Sequence, residues 1–454
     1  MSFTSKAIIE EYKSKLIPPD QAANLVKSRD WVQYGEFVCQ PKACDAALAK
    51  RKDELKDVKI RLVTMTWLPE VCKVDPERSS FIVNDWHFSG VSRKMQEQDL
   101  CNYIPITYHE GPEIYDRGYT PVDVSFQPVT TMDMNGFFNV STSNSLASCI
   151  NRSAKTRVVE VNTSFPVCLG GYGESIHISD IDYIVESPDN PPLIDIPSVA
   201  ATDADRKIAE LILEDMRDGD CLQLGIGGMP NLVGEMIAQS DLKDLGVHTE
   251  MLVDSFVDMY EAGKLTGKHK NIDPGKMVYT FAMGTKKLYD FLDHNPACAI
   301  FPVDYTNDPY LIARMDNMCC INNAIQVDLF GQVASEASIG RQISGSGGQL
   351  DFILGSFDSK DGRGYVALSS VITKKDGSLE SRIVPGLAPG TIVTVPRSIA
   401  YTIVTEYGKF NLKGKSTWER AEGIINLAHP DFRDSLIEAA KKFKIWTRSC
   451  KIAN

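Results

Sequence analysis

Apolar and polar positions alternate in blocks that predict a repeated strand–turn–helix chain. The clearest block runs from Cys221 to Val253. A short apolar run, Cys221–Leu224, predicts a buried strand that stops at Gly225, Gly227 and Gly228. Pro230 and Asn231 then open a helical pattern with Leu232, Val233, Met236 and Ile237 on one face. A glycine-rich turn between strand and helix leaves backbone N–H groups free and lets a ligand approach the main chain, which suits phosphate or a developing oxyanion. After Asp244-Leu245-Gly246 a second apolar run, Val247–Val253, is interrupted by Glu250. A carboxylate inside a strand is out of place unless it faces solvent or does chemistry.

Elsewhere the pattern predicts helices over Ser5–Leu16, Pro19–Lys27, Asp205–Asp215 and Lys286–Leu292, and strands over Lys59–Met65, Val122–Phe126 and Val158–Val161. Pro302–Tyr305 reads as a strand-to-loop exit and Ser335–Gln342 as a loop.

Two stretches recur in the same order. Trp31-Val32-Gln33-Tyr34-Gly35 leads through Pro41 and a helix to Leu55-Lys56-Asp57, as Cys221-Leu222-Gln223-Leu224-Gly225 leads through Pro230 and a helix to Leu242-Lys243-Asp244. Thr130–Ser141 and Ala324–Ser335 then share an Asp-x-x-Gly turn, at Asp133/Gly136 and Asp328/Gly331. The predicted fold is α/β, two similar open α/β domains from an internal duplication, over 1–190 and 200–454, joined near the proline-rich Ser187–Pro192. The overlay sets Val63 against Glu250, and Glu36-Phe37-Val38 against Ile226-Gly227-Gly228. Only the second copy therefore carries glycines and carboxylate together, as an active half would. The first copy is expected to be a partner that closes over it.

Composition narrows the classes. A net charge of −12 makes nonspecific nucleic-acid binding unexpected, and no run approaches the length of a membrane span. The first residues, MSFTSKAIIEEYKSKLIPP, lack the apolar core of a signal peptide. Eleven cysteines without a CxxC pair predict reduced thiols in a cytoplasm. Seven histidines form no HxxxH or HExxH spacing, so no metal site is expected.

Other polar groups are weighed against ordinary packing. Asn84-Asp85-Trp86-His87 and Tyr108-His109-Glu110 offer groups for a carboxylate pocket, but surface or satisfied-core roles fit them better. Gln326, beside Asp328, reads as structural or pocket-lining, and His248 as an ordinary strand residue. The second glycine cluster, Ser344-Gly345-Ser346-Gly347-Gly348-Gln349, gains meaning by setting backbone N–H groups opposite those of Gly225–Met229.

Taken together, GIGGMP (Gly225–Pro230), HTEMLVDSFVDMYEAG (His248–Gly263), MGTKKLYDF (Met283–Phe291), VDYTND (Val303–Asp308), SGSGGQLDF (Ser344–Phe352), VTEYG (Val404–Gly408) and NLKGKSTWERAE (Asn411–Glu422) resemble the acetyl-CoA hydrolase/transferase family. The likeness is nearest to its butyryl-CoA:acetate and 4-hydroxybutyrate CoA-transferases, and it spans essentially the whole chain. It implies two similar open α/β domains, commonly in a homodimer, with CoA as substrate, no permanently bound cofactor and a short-chain carboxylate as the other substrate. It implies that Glu250 is the catalytic glutamate, in the C-terminal domain. The CoA-binding motif falls on Gly225, Ile226, Gly227, Gly228 and Met229, and the position that helps bind the thioester oxygen falls on Gly348. The comparison also carries Ile325 to the CoA site, and after it Lys374 or Lys375. The implied reaction passes through an acyl–glutamyl anhydride and a glutamyl-CoA thioester, with main-chain donors near Ile226 and Gly348 as oxyanion hole.

Other readings make different demands. A dinucleotide-binding dehydrogenase needs a GxGxxG spacing that Gly225–Pro230 lacks. An acyl-CoA hydrolase shares every motif and differs in admitting water, so product analysis with and without acetate separates the two. A noncatalytic CoA-binding protein keeps the glycines without needing Glu250.

Overall fold

The computed structural model describes residues 5–197, 200–225 and 227–446. The chain divides into two compact units, Met1–Pro197 with Met277–Thr306, and Ser198–Lys276 with Asn307–Asn454. No described helix is long and apolar enough to cross a membrane.

The first unit is built on seven parallel strands: β1 (Trp31–Tyr34), β2 (Val58–Leu62), β3 (Phe81–Asp85), β4 (Cys101–Tyr103), β5 (Val122–Val129), β6 (Ala154–Val161) and β7 (Tyr183–Glu186). Their order in the sheet is β4-β3-β2-β1-β5-β6-β7. Parallel strands are covered on both faces, so their residues are buried almost without alternation, as in β5. Val32, Ile60, Val83 and Phe126 supply part of the core. Helix α1 (Lys42–Ala49) follows β1 after Pro41, whose ring excludes a longer helical start.

The corner between β1 and α1 is packed shut. The Gly35 N–H donates to Phe126 O at 3.1 Å, and a Cβ on Gly35 would run into Cys39 O and the Pro128 ring. The Glu36 side chain is 1% exposed, accepting from the Leu146 N–H at 3.1 Å and the Ser143 hydroxyl at 3.3 Å. Burial pushes its carboxyl up to about 7. Phe37 stacks on Phe281 with ring centroids 3.6 Å apart.

The second unit contains β8 (Cys221–Leu224), β9 (Gly246–His248), β10 (Met318–Asn323), β11 (Arg363–Ala367), β12 (Thr402–Thr405) and β13 (Gly408–Asn411). They lie in the order β9-β8-β10-β11-β12-β13, parallel except for the hairpin β12–β13. This repeats the first unit's β2-β1-β5-β6-β7, so the duplication legible in the sequence is present in the topology. Local details repeat too. Gly225 N–H donates to Ile321 O as Gly35 does to Phe126 O, and Asp57 and Asp244 share φ of +59° and +61°. In both Asp-x-x-Gly turns the aspartate Oδ1 accepts two backbone N–H groups: Asn135 and Phe137 for Asp133, Phe330 and Gln332 for Asp328. The glycines Gly136 and Gly331 sit at φ +90° and +84°, where a side chain is strained.

Three predicted elements differ. The apolar run Val247–Val253 is not one strand: β9 ends at His248 and a short strand resumes at Met251–Leu252. Thr249 causes the break, its hydroxyl donating to Met251 O at 3.1 Å. Pro302–Tyr305 leads into a helical turn, Val303–Thr306, and the 335–342 loop contains a hairpin, Ala337–Ser338 with Arg341–Gln342.

Candidate active site

In each parallel sheet the chain leaves the first strand to one side and returns on the other, so the C-terminal ends of β8 and β10 lie at a reversal of strand order, where open parallel sheets bind ligands. Helix α2 (Gly228–Gln239) begins there, two residues earlier than Pro230 predicts. Gly227 has φ +127°, and a Cβ on it would lie 3.0 Å from Asn323 Nδ2 at the end of β10. Both conditions exclude a side chain. Ile226 lies outside the described residues. Gly225 follows β8 and Gly228 starts α2, while the Met229 side chain is buried.

Glu250 sits in the break after β9, half-buried. Asn307 Nδ2 donates to its Oε2 at 2.7 Å, and the Gly348 N–H also bonds the carboxylate. Gly348 caps helix α4 (Gln349–Asp358); α3 (Asp254–Glu261) follows Glu250 after the short strand Met251–Leu252. A Cβ on Gly348 would overlap both Asn307 Nδ2 and Glu250 Oε2, so glycine is required for this approach. The N-terminal end of α4 favours negative charge.

The electrostatics are opposed. Burial pushes the Glu250 carboxyl up, the Asn307 bond pulls it down, the negative charge of Asp351 in α4 raises it, and the Gly348 amide lowers it. The balance is about 7, against an ordinary 4.5. The carboxyl is thus poorly solvated and holds its proton to higher pH than a free glutamate does.

The remaining predicted residues are placed as follows. Ile325 follows β10 by two residues and is half-buried. Gln326 pairs with Ala334 in a short antiparallel ladder. Asp328 is fully engaged by its turn, accepting also from Gln332 Nε2 at 2.8 Å. His248 is buried with its ring 6.3 Å from that of Phe352. Lys374 lies on an exposed hairpin, ion-paired to Glu380 at 2.8 Å, with Lys375 exposed beside it. Asp85 of the first unit holds the Thr64, Met65 and His87 N–H groups and the Ser92 hydroxyl, a structural task. Tyr108 bonds Ser145 at 2.6 Å.

Asn307 is the residue that reading the sequence overlooks. Its only signal is its place in VDYTND, because the contact joins positions 57 residues apart. Replacing Asn307 with Ala removes a hydrogen bond to a charged group, worth about 1.5–3 kcal/mol. We expect kcat/KM for the acyl donor to fall roughly 10- to 100-fold with folding intact; undiminished kcat/KM would show that the bond does not serve the nucleophile.

Models of the acetyl-CoA hydrolase/transferase N-terminal and C-terminal domains match residues 3–195 and 284–440. The chain is 51% identical over 443 residues to the butyryl-CoA:acetate CoA-transferase of Anaerostipes caccae, covering 97% of this chain and 99% of that protein. It is 38% identical over 433 residues to the 4-hydroxybutyrate coenzyme A transferase of Clostridium kluyveri, covering 95% and 99%. The crystal structure of RipA from Yersinia pestis superposes with a TM-score of 0.87 at 36% identity, covering 97% of this chain and all of that one. With both family domains matched, and relatives aligned nearly end to end, the chain belongs to the acetyl-CoA hydrolase/transferase family.

Proposed function

We propose that the protein is a CoA-transferase moving CoA between a short-chain acyl-CoA, butyryl-CoA foremost, and acetate, by a ping-pong reaction through Glu250. The observation that carries this reading is a poorly solvated glutamate held by Asn307 and the Gly348 amide. The 51% identity to a butyryl-CoA:acetate CoA-transferase supports the choice of substrates.

In the proposed sequence a Glu250 oxygen attacks the thioester carbonyl. The tetrahedral oxyanion collapses with cleavage of the C–S bond, giving an acyl–glutamyl anhydride and CoA thiolate. The thiolate attacks the glutamyl carbonyl and displaces the acyl carboxylate, leaving glutamyl-CoA. Acetate then attacks the same carbonyl, expelling thiolate, which takes the acetyl group and restores the Glu250 carboxylate. Main-chain donors at Gly348 and Ile226 stabilise the oxyanions. Glutamate suits the task because its anhydride and thioester stay close in energy to the substrates, so the thioester is conserved. Gly225, Gly227, Gly228, Met229 and Ile325 line the CoA side, all within the proposed C-terminal domain, 200–454.

Because attack needs the carboxylate, kcat/KM for the acyl-CoA is expected to rise with pH and level off above about 7, the value to which burial raises Glu250. Asp351→Asn removes a like charge and should move this limb to lower pH. A limb that stays in place in the variant would show that Asp351 does not tune Glu250.

Butyryl-CoA incubated with and without acetate tests the assignment. A transferase forms acetyl-CoA and butyrate only with acetate present; release of free CoA at the same rate without acetate would instead make the protein a hydrolase. We place the enzyme in the cytoplasm as a homodimer, CoA being substrate and no cofactor permanently bound. Ten described cysteines, all buried and in no disulfide, support the reducing compartment. A monomeric mass in sedimentation would remove the dimer.

A further inference from the structure

The turn Asn323-Ala324-Ile325 joins the two glycine clusters. Asn323 Nδ2 faces Gly227, and Asn323 O accepts from Gln349 Nε2 at 3.0 Å, next to Gly348. The turn's own N–H groups are tied to flanking strands, Ala324 to Ala367 O and Ile325 to Ala334 O. Two of its carbonyls take a single cation. Arg382 donates from Nη2 to Ala324 O at 2.5 Å and from Nε to Ile325 O at 2.8 Å, while Nη1 reaches the Ser369 hydroxyl at 2.8 Å.

Among the described residues no carboxylate forms an ion pair with this guanidinium. Glu406, one of the two nearest acids, is engaged by the N–H and hydroxyl of Ser370. A half-buried arginine that feels the charges of Asp205 and Glu406 but has neither in ion-pair contact is costly to keep for packing alone. Its planar fork fixes the direction of two consecutive peptide carbonyls at once, which a lysine ammonium does not reproduce.

We propose that Arg382 is a positioning residue for CoA: it sets the Asn323–Ile325 turn so that Ile325 and the Gly227 and Gly348 segments receive the thioester arm together. The inference rests on the CoA-transferase reading above. It is tested with full-length Arg382→Met and Arg382→Lys, by calorimetric titration with CoA and by steady-state rates with acyl-CoA and acetate varied separately. In Arg382→Met, Kd for CoA and KM for acyl-CoA are expected to rise at least about tenfold, as misplacement remote from the chemistry does, with KM for acetate unchanged. Arg382→Lys should fall between, since it meets one carbonyl of the pair. A structural role alone would lower the melting temperature and the active fraction while leaving both constants as in the wild type, and that result overturns the proposal. Should Arg382→Met fail to fold, Arg382→Gln is measured in the same way. A wild-type protein that binds CoA without transferring it removes the transferase reading while leaving the binding comparison readable. Wild-type exchange with normal CoA affinity in Arg382→Met overturns only the role of Arg382.

Discussion

Glu250→Gln is expected to reduce exchange of acyl-CoA with acetate by roughly 10⁴-fold or more, because the amide cannot form the anhydride. CoA should still bind, since Asn307 and Gly348 belong to the surrounding main-chain and amide framework. Quenching the wild-type protein during turnover and weighing its peptides should find CoA mass on Glu250, absent from the variant; exchange at the wild-type rate in the variant would sink the covalent scheme. The same substitution should stabilise the fold above neutral pH. A carboxyl whose pKa is raised from 4.5 to about 7 binds its proton more tightly folded than unfolded. Its stability contribution is present below 4.5 and lost as pH rises through 7, so the buried charge then costs of order 3 kcal/mol at most. Thermal melts of the two proteins should coincide near pH 4 and separate by pH 8, the variant melting higher.

Gly348→Ala carries the second large effect. Gly348 has φ −93°, which any L-residue adopts, so the backbone and helix α4 should survive. The added methyl, however, occupies the space of Asn307 Nδ2 and Glu250 Oε2. Accommodating it breaks the contact between them and turns the amide away from the reacting oxygen. Loss of one oxyanion donor costs about 2.7–4 kcal/mol, so kcat should fall about 100- to 1,000-fold. Circular dichroism should match the wild type. A variant with wild-type kcat would place the oxyanion donors elsewhere.

What the sequence reveals and what it hides follow from range. The strand Cys221–Leu224 that stops before glycine, the acid at Glu250 and the twin Asp-x-x-Gly turns are local patterns, and the structure forms the strand and both turns. The start of α2 at Gly228 and the break at Thr249–Glu250 depend on hydrogen bonds that periodicity does not encode. Asn307 and Arg382 lie further out of reach. Each matters through a partner 57 residues away, and neither residue type announces a role by itself.

The shut corner after β1 bears on how the two copies came to differ. Writing Ile226-Gly227-Gly228 of the second copy over Glu36-Phe37-Val38 would strip this corner of the groups that hold it. Removing Glu36 would orphan the Leu146 amide and the Ser143 hydroxyl, and removing the Phe37 ring would leave Phe281 without its stacking partner. The first unit's corner is thus committed to packing, and each change toward the second unit's glycines would cost stability there.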